Sequence, residues 1–115
     1  MTKDDEKLLV YIKLFADKNR YKIILHLMKG EECVCMLAEK LNLEQTLISH
    51  HLQTLREAGL IQDRKVGTLV HYSLNKKAFS EIENLFQKNL NYKNIADKPC
   101  VSHDLCRQLT KQYEK

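Results

Sequence analysis

A mainly helical fold with one small β-hairpin is what this 115-residue sequence predicts, and three observations predict it. Apolar residues recur at helical spacing over most of the chain. Two such periods stand back to back in Glu31–Ile61, EECVCMLAEKLNLEQTLISHHLQTLREAGLI, joined by a short turn. One β-leaning stretch follows directly, LIQDRKVGTLVHYSLN, with Gly67 at its middle. The length argues for one domain.

The elements follow in order. From Asp4 to Phe15, Leu8, Ile12 and Phe15 form a stripe with Leu9 beside it, and Asp4, Asp5 and Glu6 favour the positive end of a helix. A second helix is expected from about Lys18 to Lys29, with Tyr21, Ile24, Leu25 and Met28 on one face and Gly30 as its stop. Val34, Leu37, Ala38 and Leu41 give a third, with Asn42 in the turn after it. Ile48, Leu52 and Leu55 give a fourth, from Gln45 to about Ala58, closed by Gly59 as a left-handed cap. Two runs around Gly67 make the hairpin, with Val70, Tyr72 and Leu74 alternating against Leu69, His71 and Ser73. Asn75 caps a fifth helix, Lys76–Leu90, carrying Phe79, Ile82, Phe86 and Leu90.

Helix, turn, helix and hairpin in that order is a winged helix-turn-helix. The fourth helix has a polar face opposite its packed one: Thr46, Ser49, His50, Gln53 and Glu57. Those side chains both donate and accept, which suits base edges in a major groove. Taken alone the stripe reads first as a solvated face; the preceding helix, the Gly59 stop and the wing turn it toward DNA. In the wing, Arg64, Lys65 and His71 are placed for phosphates or a minor groove. The first and fifth helices carry more apolar surface than so small a monomer needs. They are expected to pair across a two-fold axis, giving a homodimer that reads a palindrome in double-stranded operator DNA. Residues 1–92 form this DNA-binding and dimerisation domain. Residues 93–115 form a C-terminal tail, with a short helix expected from Pro99 to about Tyr113.

A formal net charge of +4 favours nucleic acid without deciding for it. No apolar run reaches the length of a membrane span, and MTKDDEKLL is too polar for a signal peptide. A cytoplasmic protein without a membrane partner is expected. In a reducing compartment the four Cys read as metal ligands or reactive thiols rather than disulfides. Cys33 and Cys35 stand at the start of the third helix. In a regular helix, residues i and i+2 point roughly 200° apart, so one ion could hold both only by bending that turn. Cys100, His103 and Cys106 are spaced i, i+3, i+6, a chelating face if the tail is helical. His26 and His51 read as packing residues.

The segments ECVCMLAEKL, EQTLISHHLQTLREAGLI and QDRKVGTLVHYSLN together resemble the ArsR/SmtB family of metal-sensing repressors, over roughly residues 5 to 90. The resemblance implies a homodimeric winged-helix repressor that leaves its operator when an ion binds. It implies Gln45, Thr46, Ser49 and His50 as base-reading positions. It also implies Cys33 and Cys35 as inducer ligands, with Cys100 or Cys106 supplying the thiolate that arsenite sensors often carry at the position of Ala38. Glu44 departs from the family, which usually has a small residue there. Residues 76–90 contain no His, so the helix-five site of zinc, nickel and cobalt sensors is not carried over. An all-thiolate set selects soft ions. The wing looks most like arsenite responders and Leu37-Ala38 more like cadmium responders, so arsenite or antimonite is favoured, with cadmium, lead or zinc as alternatives.

Two other readings belong beside this one. The Cys pair could be a redox or persulfide switch on the same scaffold, since thiolates near a helix N-terminus are acidified. A small thiol enzyme is the remoter one: the sequence has no Gly-rich anion loop and no evident base beside the Cys. A non-enzyme is expected.

Overall fold

A computed structural model describes residues 1–100 and 102–113. Its elements are α1 (Lys3–Phe15), α2 (Lys18–Leu27), β1 (Glu32–Cys33), α3 (Val34–Leu41), α4 (Gln45–Glu57), β2 (Ile61–Val66), β3 (Leu69–Leu74), α5 (Lys76–Asn89), a 3₁₀ turn at Tyr92–Asn94, and α6 (His103–Tyr113). The helix-turn-helix is α3–α4 and the wing is β2–β3.

Local chemistry sets the element ends. Thr2 and Asp5 form a reciprocal capping box at the start of α1. Asp17 caps α2 by accepting from the N–H groups of Asn19 and Arg20. Asn42 ends α3 in the left-handed region, at φ 53°, and the Leu43 N–H reaches back to the Ala38 carbonyl at 3.0 Å. Gly59, at φ 78°, closes α4 as expected: the Leu60 N–H donates to the Leu55 carbonyl at 3.0 Å. Asn75 caps α5 by accepting from Lys77 and Ala78.

The core joins all five helices of the body to the wing. Ile23, Leu37, Ile48, Leu52, Leu55 and Leu60 are fully buried, each contributing about 1.5–3 kcal/mol. They clamp α3 and α4 to α2, which fixes the angle at which α4 is presented. Phe15 and Phe79 meet edge to face at 5.9 Å and tie α1 to α5. The Tyr11 hydroxyl donates to Glu81 at 3.3 Å, and Lys88 pairs with Asp4 at 2.7 Å, across the same seam.

Four expectations need correction. The buried face of α2 is Ile23, Ile24 and Leu27, not Tyr21, Ile24, Leu25 and Met28; Tyr21, Leu25 and Met28 are exposed. The true stripe begins at Arg20, whose charge hid it. Arg20 lies along the protein with its guanidinium donating to the Leu14 carbonyl at 2.9 Å. In α1 the buried residues are Leu8 and Tyr11, while Leu9 and Ile12 face outward. Cys33 is not helical: it belongs to β1, a third strand that makes the sheet order β1-β3-β2. Lastly, α6 starts at His103 rather than Pro99.

Candidate functional site

Glu32 and Cys33 pair antiparallel with Tyr72 and His71 of β3, so the wing sheet holds the chain extended up to Cys33. Cys33 is then the N-cap of α3, at φ −89° and ψ 164°. Cys35 is the second residue of that helix. An extended residue followed by a helical one turns the two side chains together, and their Sγ atoms lie 3.1 Å apart. The divergence of i and i+2 within a helix does not arise here, and no bending of α3 is required.

Cys33 is buried and Cys35 exposed. The Cys35 thiol and the Met36 N–H both favour a Cys33 thiolate and lower its pKa, while the same shared proton raises that of Cys35. The shared proton thus makes Cys33 the more acidic thiol of the pair. Two sulfurs on one tetrahedral ion, with bonds of ~2.3 Å, stand roughly 3.8 Å apart. A small side-chain rotation at exposed Cys35 takes the pair there, so the donors fit a thiophilic ion. Beside them Glu32 accepts from Lys40 at 2.8 Å and lies 3.5 Å from Nε2 of His26. Among the described residues no set of three His, Cys, Asp or Glu side chains is gathered for a metal.

In the tail, the Sγ atoms of Cys100 and Cys106 are 3.3 Å apart. The contact between the two thiols lowers the Cys100 pKa and raises that of Cys106. The structure thus gathers the thiols as two pairs rather than one set of four. His103 opens α6 and shares a shallow hollow with Cys106, Arg107, Thr110 and Lys111. Residues 102–111 are all exposed.

On α4 the residues Gln45, Thr46, Ser49, His50 and Gln53 are exposed together, opposite buried Ile48, Leu52 and Leu55. Gln53 donates to Glu57 at 3.2 Å, which orients its amide along the face. Glu44 is the N-cap of α4 but makes no side-chain cap bond. His51 is buried as expected. Its Nδ1 lies 3.5 Å from the Arg20 guanidinium, which can only donate, so the Nε2–H tautomer follows, with Nε2 3.8 Å from Asp17. Burial first, then the charges of Arg20 and His50, lower its pKa against the pull of Asp17.

In the wing, Lys65 is exposed near the Gly67 turn. Arg64 and His71 are less free than the sequence suggested. Arg64 grips Glu31 with two N–H groups, at 2.6 and 3.2 Å, and His71 Nδ1 is 3.7 Å from the same carboxylate. Sequence reasoning missed Glu31, and it missed β1. A strand of two residues is too short to show an alternating pattern, and only its position before a Cys-x-Cys marks it.

Residues 17–63, from the cap of α2 into β2, match the family described as "Bacterial regulatory protein, arsR family". The cadmium resistance transcriptional regulatory protein CadC of Listeria innocua is 33% identical over 84 residues, which span 72% of this chain and 68% of CadC. The chain belongs to the ArsR family. An ArsR-family protein is a DNA-binding transcriptional regulator, and the winged helix-turn-helix here is of that type. The arsenical resistance operon repressor of Escherichia coli K12 is 50% identical over 64 residues, 55% of this ArsR-family chain and 55% of that repressor. The chain therefore spans about half the length of that relative. HlyU from Vibrio cholerae superposes with a TM-score of 0.65 at 33% identity, covering 78% of this chain and 99% of HlyU. Among the described residues no helix is long and apolar enough to cross a membrane.

Proposed function

We propose that this ArsR-family chain is a homodimeric repressor released from operator DNA by a soft thiophilic ion, with arsenite or antimonite favoured over cadmium, lead or zinc. The observation that carries the reading is the convergence of Cys33 and Cys35, 3.1 Å apart, at the start of the helix that sets the reading helix. Gln45, Thr46, Ser49, His50 and Gln53 read bases, and Lys65, Arg64 and His71 meet the backbone. Cys33 and Cys35 bind the ion. Cys100 or Cys106, from the same or the second subunit, completes the three-thiolate set. Exposed Leu9, Val10 and Ile12 on α1, Phe86 on α5 and Leu90 just after it supply the dimer face. The names of the relatives support a metal(loid) inducer but divide between arsenical and cadmium resistance. Three thiolates, the Cys33/Cys35 pair and one from the tail, would suit the pyramid of arsenite, and among the described residues no carboxylate or multi-His set is gathered for a harder ion.

The test is fluorescence anisotropy on the chain's own upstream DNA, titrated separately with arsenite, cadmium, lead and zinc. Release by arsenite at the lowest concentration is expected. Release by none of the four sinks the reading. A redox reading is favoured by one feature, the shared proton that acidifies Cys33. Release by peroxide alone, with metal-free protein, would establish it instead.

A further inference from the structure

Glu31 has no part in the reading so far. It stands two residues before Cys33, and its partners lie far away in sequence, on the wing. Both oxygens of its carboxylate are engaged by Arg64, at 2.6 Å to Nη2 and 3.2 Å to Nε. One of them also faces His71 Nδ1 at 3.7 Å. Arg64 and His71 are themselves opposite each other across β2 and β3. The two wing side chains best suited to a phosphate therefore converge on one carboxylate. A guanidinium fork presents the same N–H pair to carboxylate or phosphate, and one fork cannot serve both fully. The segment that carries this carboxylate runs straight into β1, where Cys33 is paired with His71.

We infer that Glu31 is a positioning residue for the wing, holding Arg64 as a stand-in for phosphate in the DNA-free protein and linking the Cys33/Cys35 pair to the wing's grip. This rests on the proposed reading of the wing as a backbone contact. Binding DNA exchanges the Glu31 carboxylate for a phosphate on Arg64. An ion on Cys33 and Cys35 ties down the strand that follows Glu31 and so favours the closed Glu31–Arg64 pair. DNA and ion then compete for two states of one contact, and each weakens the other by the same factor. This route runs through the sheet and is separate from any tilt of α4.

The experiment uses the full chain and the variants E31Q, E31D, R64A and E31Q/R64A, with melting curves to establish folding. Binding to random-sequence duplex and to the upstream DNA is followed from 50 to 200 mM salt, with arsenite as the ion probe. E31Q is expected to bind both duplexes several-fold more tightly than wild type throughout that range, because Arg64 no longer leaves a carboxylate to reach its phosphate, while the number of phosphates contacted, and with it the slope, stays the same. It should take up arsenite with wild-type stoichiometry yet lose several-fold less DNA affinity on doing so. E31D, which keeps the carboxylate, should behave as wild type, and the double variant should match R64A. An E31Q protein with wild-type DNA affinity and wild-type release overturns the inference. If R64A itself leaves DNA binding unchanged, the wing reading fails and the clamp falls with it. If R64A weakens binding while E31Q is silent, the clamp alone falls.

Discussion

Replacing Cys33 tests the ion site and the local fold together, because Cys33 is both an expected ligand and the N-cap of α3. It makes no side-chain cap bond, although the Met36 N–H, at the third helical position, is close enough to lower its pKa. A Ser there has the hydroxyl that N-caps use for this N–H, and Ser exceeds Ala at such positions by about 1 kcal/mol. Burying a hydroxyl without a partner would cost about 1–3 kcal/mol, but the cap bond supplies the partner. Cys33→Ser should therefore lie within about 1 kcal/mol of wild type. Cys33→Ala should lie about 1 kcal/mol below Cys33→Ser, or roughly 4–8 °C in melting temperature for a small domain. Both should bind upstream DNA without ion and neither should release it with arsenite. The assays are thermal melting by circular dichroism and anisotropy with and without arsenite. An Ala variant as stable as the Ser variant refutes the capping geometry. A Ser variant that still releases DNA at the wild-type arsenite concentration refutes the ligand role.

The double change Ser49→Ala/His50→Ala should leave melting unchanged, since both residues are exposed. It should cost about 1–3 kcal/mol of operator preference per lost contact, and unchanged preference in a competition assay would count against the docking face. Lys65→Ala should weaken all duplexes alike and flatten the salt slope by about 0.9, which a salt titration reads directly. His51 has a pKa below its ordinary value because it is buried, so the unfolded chain takes up its proton at higher pH than the folded one. Its contribution is present above about pH 6.5 and is lost as pH falls through the folded pKa. The advantage of wild type over His51→Gln should accordingly shrink from pH 7.5 to pH 5 in melting experiments; a constant difference would show that the proton plays no part. Truncation after Asp97 should not alter melting, because the described side chains of residues 98–100 and 102–111 are exposed. If it also leaves arsenite stoichiometry and affinity intact, Cys100 and Cys106 are not ligands.

The helix-turn-helix was legible because its signals are local and agree. Leu37, Ala38, Ile48, Leu52 and Leu55 keep helical spacing, and Gly59 marks a stop that only a left-handed residue makes cheaply. The polar face of α4 was legible for the same reason, as the complement of a buried stripe. What escaped the sequence depends on partners distant in the chain. The buried face of α2 was misplaced because Arg20 heads it, and an arginine reads as surface until its guanidinium is seen on the Leu14 carbonyl. The Cys33–Cys35 pair was visible, but its geometry was not. Only pairing with His71 takes Cys33 out of the helix, and a two-residue strand leaves no periodic trace. The hold of Glu31 on Arg64 spans 33 positions and has no sequence signature.

The shortness of α3 has a mechanical consequence. Its eight residues form a rod about 12 Å long at roughly 1.5 Å per residue. The thiols sit at one end and the left-handed elbow of Asn42 at the other. Two turns of helix are too stiff to absorb a push by curving, and the three-residue elbow Asn42–Glu44 leaves little slack before α4. A rotation of about 10° about one end carries the other through roughly 2 Å, whereas a hydrogen bond tolerates only about half an ångström. In the proposed reading such a rod would act as a lever, with a throw several times the tolerance of a hydrogen bond. Lengthening the elbow by a flexible residue would leave both ends intact and disconnect them.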